Sequence, residues 1–220
     1  AFGIGDLVLL APKSHPLIKE SNLRTPVYGL TGGIASGKST ALAQFAALGI
    51  DTLDTDQLAR DVIAQGTPGA QELEAAIGSE YFPDGRLDRV LLRSKIYESP
   101  ELKQTVESII HPLVRHAVTQ WLNEDSASPY RILCSPLLIE TKQHESLDGV
   151  IVVDVSEGNQ LLRGTKRDTQ SKDTIQRIID AQLPRDKRLG HATFVIDNSG
   201  DLESLTLQIQ TLHEKLSHDR

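Results

Sequence analysis

The 220 residues contain no methionine and one cysteine, Cys134. The first absence means the chain does not start at an initiator, which leaves the origin and role of residues 1–26 open. The second excludes an intramolecular disulfide framework and any multi-cysteine zinc site, and it suits a reducing, cytoplasmic setting. Cys134 lies in the apolar run RILCSPLLI, so a small buried hydrophobe is its expected role. No stretch reaches the ~18 to 20 apolar residues needed to span a bilayer. The opening AFGIGDLVLLA lacks a basic n-region and is interrupted by Asp6, so it reads as neither signal peptide nor anchor. Positive charge is also scarce. The 23 Lys and Arg stand against 30 Asp and Glu, and a net charge of −7 argues against a nucleic-acid coat or a membrane-surface binder.

What is present reads as an ordinary globular chain, with 39% hydrophobic and 24% charged residues. Residues 11–26 are rich in proline and polar groups without a period, and 1–26 as a whole is read as a leader or extension. VYGLT (27–31) is a short β-prone run ending in glycines. STALAQFAALG (39–49) then carries Leu42, Phe45 and Leu48 at helical spacing, with Gly49 where a helix stops. IDTLD (50–54) completes a strand–turn–helix–strand unit, which predicts a parallel sheet. From 57 to 124 no strand pattern appears, and DRVLLRSKIYES and PELKQTVESIIHPLVRHAVTQWLNE carry helical periodicity, with Pro100 at a helix start. Strands return at YRILCS (130–135), GVIVVDV (149–155) and TFVID (193–197), with a helix from about Glu157 and a closing amphipathic helix over 201–216. The expected fold is α/β, a three-layer P-loop NTPase-type core with a five-stranded parallel sheet, a helical insertion and a small basic one.

GGIASGKS, residues 32–39, fits G-x-x-x-x-G-K-[ST] between a strand and a helix. Wrapping a phosphate chain needs backbone N–H groups turned inward, which glycine permits, and a helix start adds free N–H groups and the positive end of its dipole. Lys38 supplies a point charge for the β- and γ-phosphates and the Ser39 hydroxyl a ligand for Mg²⁺. The loop by itself says only that a nucleoside triphosphate binds.

Two further absences narrow the class. There is no N-K-x-D string to read guanine, and the strand end VIVVDV places valine after Asp154, where a motor ATPase carries a glutamate. A small-molecule kinase remains, and it needs an acceptor site, a base and a positive lid. Asp54 and Asp56 in LDTDQLAR (53–60) stand at the C-terminal edge of the second strand, where ligands gather in parallel α/β sheets. In an extended chain their i, i+2 spacing turns both carboxylates to one side. Such a pair serves as a metal site, a base with a helper, or a helix cap, the cap being Thr55 or Asp56 ahead of a helix near Gln57. The span 163–188 holds eight basic residues against four aspartates, and Arg163 and Arg167 share a helix face. Arginines there can stabilise charge on a transferring phosphoryl group; the alternative is a solvated face of mixed charge.

At this point the chain resembles the dephospho-CoA kinase family, whose members phosphorylate the ribose 3′-hydroxyl of dephospho-CoA. The resemblance runs from Val27 to about His213 through YGLTGGIASGKST, LDTDQLAR, DGRLDRVLLRSKIY, HPLVR (111–115), SPLLIE (135–140), QLLRGTKRD (160–168) and FVIDNSG (194–200). It implies ATP and Mg²⁺ as cofactors and dephospho-CoA as a small-molecule partner, with no nucleic acid, membrane or obligate protein partner. It also implies a nucleotide core at 27–56, 129–160 and 190–220, a helical acceptor domain at 57–128 and a lid at 161–189. By that resemblance Asp56 is the base, with Lys38 and Arg163 catalytic beside it, and Asp54 assists at the metal or acceptor. The phosphate cradle is Gly33, Ala35, Ser36, Gly37, Lys38, Ser39 and Thr40, with Ser39 and Asp54 on the metal. Arg60, His111 and Glu140 line the acceptor side, Arg167 belongs to the lid, and Asn198 to the loop near the adenine. The alternatives are a P-loop kinase for a nucleoside or nucleoside monophosphate, and a nucleotide-dependent regulatory module.

Several residues have plainer readings. Taken alone, His111 before Pro112 reads as a helix-kink residue, Trp121 as packing, and His213 and His218 as solvated. Ala35 stands where a glycine is frequent and Ser135 where an aspartate often precedes the PLL run. Gly164 inside a lid helix is expected to loosen it, since glycine costs ~1 kcal/mol against alanine there.

Overall fold

A computed structural model describes residues 25–168 and 171–218, with side chains described at all of these but 167 and 168. The leader, apart from its last two residues, lies outside them. The described chain forms two compact units, one of 25–53 with 125–218 and one of 54–124.

In the first unit, β1 (Val27–Thr31), β2 (Asp51–Asp54), β3 (Arg131–Cys134), β4 (Gly149–Asp154) and β5 (Phe194–Asp197) form one sheet in the order β2-β3-β1-β4-β5. It is the expected five-stranded parallel sheet. The central strand pairs in parallel with both neighbours, Gly29 opposite Leu133 on one side and Val150 on the other. β3 is buried throughout, as are all but the first residue of β4, as near-continuous apolar runs require when both faces are covered. At the sheet's edge, buried Arg131 of β3 pairs with Asp51 of β2 at 2.9 Å. α1 (Lys38–Ala47) buries Ala41, Leu42 and Phe45, and α9 (Leu202–His218) packs on it with the stripe Leu205, Ile209, Leu212 and Leu216. Leu48 departs from expectation. The helix has already ended there, so this residue is a C-cap 36% exposed rather than a third core position. Cys134 is buried as predicted.

The basic span forms three helices of the same unit: α6 (Glu157–Asp168), α7 (Lys172–Ala181), capped by Ser171, and α8 (Arg185–Gly190). Gly164 has a packing role in α6 that its sequence does not signal. It faces Ile175 of α7, and a Cβ placed there would meet that buried side chain at 3.0 Å. Its smallness lets two helices approach.

The second unit is helical, and no strand occurs in its described residues after Asp54. α2 (Thr55–Asp61), α3 (Pro68–Ile77), α4 (Arg89–Glu98) and α5 (Pro100–Asn123) enclose a core of Ile63, Leu73, Phe82, Leu92, Val106 and Ile110. Each helix starts on a side-chain cap, from Asp54, Thr67, Asp88 and Ser99 in turn, and α5 opens with Pro100 as its sequence predicts. His111 is buried in α5, directly before Pro112 inside the same helix.

Candidate active site

The turn between β1 and α1 is built for an anion. Gly37, the N-cap of α1, sits at φ 97° and, having no side chain, gives its helix no cap hydrogen bond. A Cβ at this glycine would stand 2.1 Å from Nδ2 of Asn198, so the loop requires glycine twice over, for conformation and for space. Lys38 turns back across the loop and donates from Nζ to the Gly32 carbonyl at 2.8 Å and the Gly33 carbonyl at 3.3 Å. Ser39 and Thr40 are exposed at the helix start, while Ser36 is buried and its hydroxyl has no partner among the described residues. Ala35 takes φ 55°, a left-handed conformation costing an alanine about 1–2 kcal/mol, which explains why glycine suits the position.

The loop is held from behind. Asn198, buried after β5, donates from Nδ2 to the Ser36 carbonyl at 2.7 Å, and its own carbonyl accepts from Arg163 of α6 at 2.8 Å. These bonds bring Gly37, Ser36, Asn198 and Arg163 together. They also set the Asn198 side chain against the loop's main chain. Arg167 is in α6, but its side chain lies outside the described ones.

Sequence reasoning missed the groups around this loop. Buried Asp154, at the end of β4, accepts two bonds from Arg185, Nε at 2.9 Å and Nη2 at 2.6 Å. That pairing raises the Arg185 pKa, first through the hydrogen bond and then through the charge. Arg188 is buried and donates to the Leu183 carbonyl at 2.7 Å; burial lowers its pKa, with Glu140, Asp154 and Glu157 opposing. Two of the eight basic residues of the span are therefore structural. Glu140, expected on the acceptor side, accepts the Leu183 N–H at 3.1 Å. Gln182 accepts the Ile34 N–H of the loop at 2.8 Å, and nothing in its local sequence signals that role. Only Asp154, as the carboxylate ending an apolar strand, had a visible signal. His213, expected to be solvated, is half-buried with Nδ1 2.9 Å from the hydroxyl of buried Tyr130.

The aspartate pair is arranged differently from the extended reading. Asp54 ends β2 with extended backbone, but Asp56 is already in α2, so the period-two argument does not apply. The cap is Asp54, neither Thr55 nor Asp56, and its Oδ1 accepts the N–H groups of Asp56 at 2.9 Å and Gln57 at 3.4 Å. The strand–helix junction itself thus fixes where Asp56 leaves the helix start. Arg60, one turn on, bonds Gln57 at 3.4 Å. Arg89 of α4 reaches the Arg60 carbonyl at 3.4 Å, and burial followed by repulsion from Arg60 lowers its pKa.

The donor set suits Mg²⁺ carried on a triphosphate. No group of three or more His, Cys, Asp or Glu could cage a metal among the described residues. Mg²⁺ keeps several waters and takes one or two protein oxygens beside substrate phosphates, and the exposed Ser39 hydroxyl at an uncapped helix start offers one such oxygen.

Over most of its length the chain is similar to known proteins. The family model described as dephospho-CoA kinase matches residues 26–204. A dephospho-CoA kinase of Hahella chejuensis is 44% identical over 199 residues, covering 88% of this chain and 95% of its own. One from Acinetobacter baylyi is 44% identical over 194 residues, covering 87% and 99%. Among solved structures, TT1252 from Thermus thermophilus superposes with a TM-score of 0.73 at 30% identity, covering 88% of this chain and 99% of that one.

Proposed function

The chain belongs to the dephospho-CoA kinase family, catalysing the last step of coenzyme A biosynthesis with ATP as donor, and on that premise we propose how its residues divide the work. The cradle is Gly33 to Thr40. Its inward N–H groups and Lys38 bind the triphosphate, and Lys38 leaves its loop carbonyls for the β- and γ-phosphates. Asp56 accepts the proton of the ribose 3′-hydroxyl as that oxygen attacks the γ-phosphorus in line, and ADP departs. Arg163 and Arg167 stabilise the charge spreading over the transferring oxygens. Mg²⁺, when bound, neutralises the phosphates, with Ser39 and Asp54 as the residues that would hold it; Asp54 has committed Oδ1 to its cap, which leaves Oδ2 for that role. Arg60, His111 and Glu140 serve the acceptor, and Asn198 serves the adenine side by shaping the loop. The helical unit supplies the acceptor domain and the span 161–189 the lid. No described helix is long and apolar enough to cross a membrane, and we place the reaction in the cytoplasm.

The observation that carries these roles is the uncapped start of α1, with Lys38 folded over the loop and Asn198 clamping it. The test is ATP consumption with dephospho-CoA, AMP, CMP, uridine or no acceptor. Turnover only with dephospho-CoA is expected. Equal slow turnover with every acceptor and with none would instead mark a regulatory module.

A further inference from the structure

Between α7 and α8 runs a three-residue strap, Gln182 to Pro184, that together with Arg185 at the start of α8 is fastened at four points. Gln182 Oε1 accepts the Ile34 N–H at 2.8 Å, and the Leu183 N–H donates to Glu140 at 3.1 Å. The Leu183 carbonyl accepts from buried Arg188 at 2.7 Å, and Arg185 grips Asp154 with two nitrogens. Three of these anchors are tied to other segments of the sheet's loops: the one after β1, the one after β3 and the end of β4. A strap so fixed is a firm post for whatever Gln182 holds.

It holds the crest of the phosphate loop. Ile34 directly precedes Ala35, whose φ of 55° is unfavourable for a residue with a Cβ. The Ile34 N–H donates, so the atom facing it is the side-chain oxygen of Gln182 and not its amide nitrogen. Asn198 fixes the loop two residues later at the Ser36 carbonyl. The left-handed residue is thus bracketed by two side-chain amides, one from each side.

We propose that Gln182 is a positioning residue for ATP, holding the Ile34–Ala35 crest so that the following N–H groups are set for phosphates before nucleotide arrives. It touches no substrate; it acts through the loop. Its contribution is made equally in the ground and transition states, so its loss reads out in nucleotide affinity and not in turnover at saturation. The proposal rests on the phosphate-loop reading above.

The test uses the full chain with Mg²⁺ and a non-hydrolysable ATP analogue. Gln182→Leu removes the acceptor at similar volume, and is expected to weaken analogue binding and raise KM for ATP about five- to thirtyfold, as losing one hydrogen bond to a part-buried donor implies. The kcat and the KM for dephospho-CoA should stay near wild type, and the melting temperature should fall by no more than a few degrees, as the loss of one hydrogen bond implies. The proposal is overturned if Gln182→Leu binds the analogue as wild type does, or if both KM values rise together with a fall in melting temperature of more than a few degrees. Should the Leu variant not fold, Gln182→Asn, which draws the amide back by one methylene, is read by the same criteria. Lys38→Ala is the control. If it binds the analogue normally, the loop reading itself fails; if it is impaired while Gln182→Leu is not, only the role of Gln182 falls.

Discussion

The two units hold their functional side chains in opposite ways. In the nucleotide unit the bonds cross the sequence, Asn198 reaching Ser36 over 162 positions and Gln182 reaching Ile34 over 148. In the helical unit the shorter-range bonds lead: Asp54 caps the N–H of Asp56 two positions on and Arg60 reaches Gln57 three positions back, and the bond from Arg89 to the Arg60 carbonyl spans 29 positions. The phosphate cradle is therefore a product of the whole α/β fold, fixed only when distant segments have docked. The helix start on which Asp56 stands is set locally, by the Asp54 cap. A change in the helical unit should accordingly alter chemistry or local stability and leave nucleotide binding alone.

The strongest way to break that comparison is Asp56→Asn. Loss of a general base is typically worth 10²- to 10⁴-fold, so kcat should fall by about that range. Affinity for an ATP analogue should stay within about twofold, because a general base acts on the acceptor hydroxyl in the chemical step and not on the bound nucleotide. Turnover near wild type, with chemistry shown to be rate-limiting, would remove Asp56 from the mechanism. A matching loss of analogue binding would remove the comparison.

Next in size is Leu73→Ala. Leu73 is fully buried in the helical core, and truncating such a residue costs about 2–5 kcal/mol. The chain's single tryptophan, Trp121, lies half-buried in α5 of the same unit, so its fluorescence follows the unfolding of that unit. The urea midpoint followed at Trp121 should drop, while analogue affinity measured in the absence of urea should not change. If the two fall together, the units do not respond separately.

The same contrast explains what the sequence disclosed. The strands were legible to within a residue because β3 and β4 are apolar runs buried on both faces, and G-x-x-x-x-G-K-S declared the loop because its chemistry is contiguous. Pro100 announced α5 for the same local reason. What was hidden depends on docking. Gln182 and Arg188 look like surface residues until α7 and α8 meet the loops of the sheet, and His213 looked solvated until α9 laid it beside Tyr130. Asp54 was misjudged for a subtler reason. A strand of four residues passes straight into a helix, so an extended spacing rule was carried two residues past the strand's end, to Asp56.

A smaller effect tests docking by its sign. On helix propensity alone Gly164→Ala should gain ~1 kcal/mol. The new Cβ would stand 3.0 Å from Ile175, which is fully buried and hemmed in, so the α6–α7 contact must open. Stability should fall by roughly 1 kcal/mol. A gain would mean that α7 yields freely and that the long-range order of this unit is weaker here than its hydrogen bonds imply.

The smallest effect at neutral pH is expected from Tyr130→Phe, and its value lies in its pH dependence. Tyr130 is fully buried, and burial, followed by the charge of Tyr28, pushes its phenol well above the ordinary 10.0. In the unfolded chain the phenol ionises near 10, whereas the folded chain keeps it protonated. The folded state therefore holds the full contribution of this group below pH ~10 and loses it as pH climbs from there towards the folded value. Near pH 7 the substitution removes only the bond to His213, worth about 0.5–1.5 kcal/mol. Above pH ~10 the wild-type chain should lose stability with each step in pH while the Phe variant loses less, so the two curves converge. Urea titrations at pH 7, 9, 10 and 11, followed by far-ultraviolet circular dichroism, would show it. Parallel curves across that range would mean that the Tyr130 hydroxyl reaches water in the folded chain, and that the nucleotide unit's core is looser than the density of its cross-fold bonds indicates.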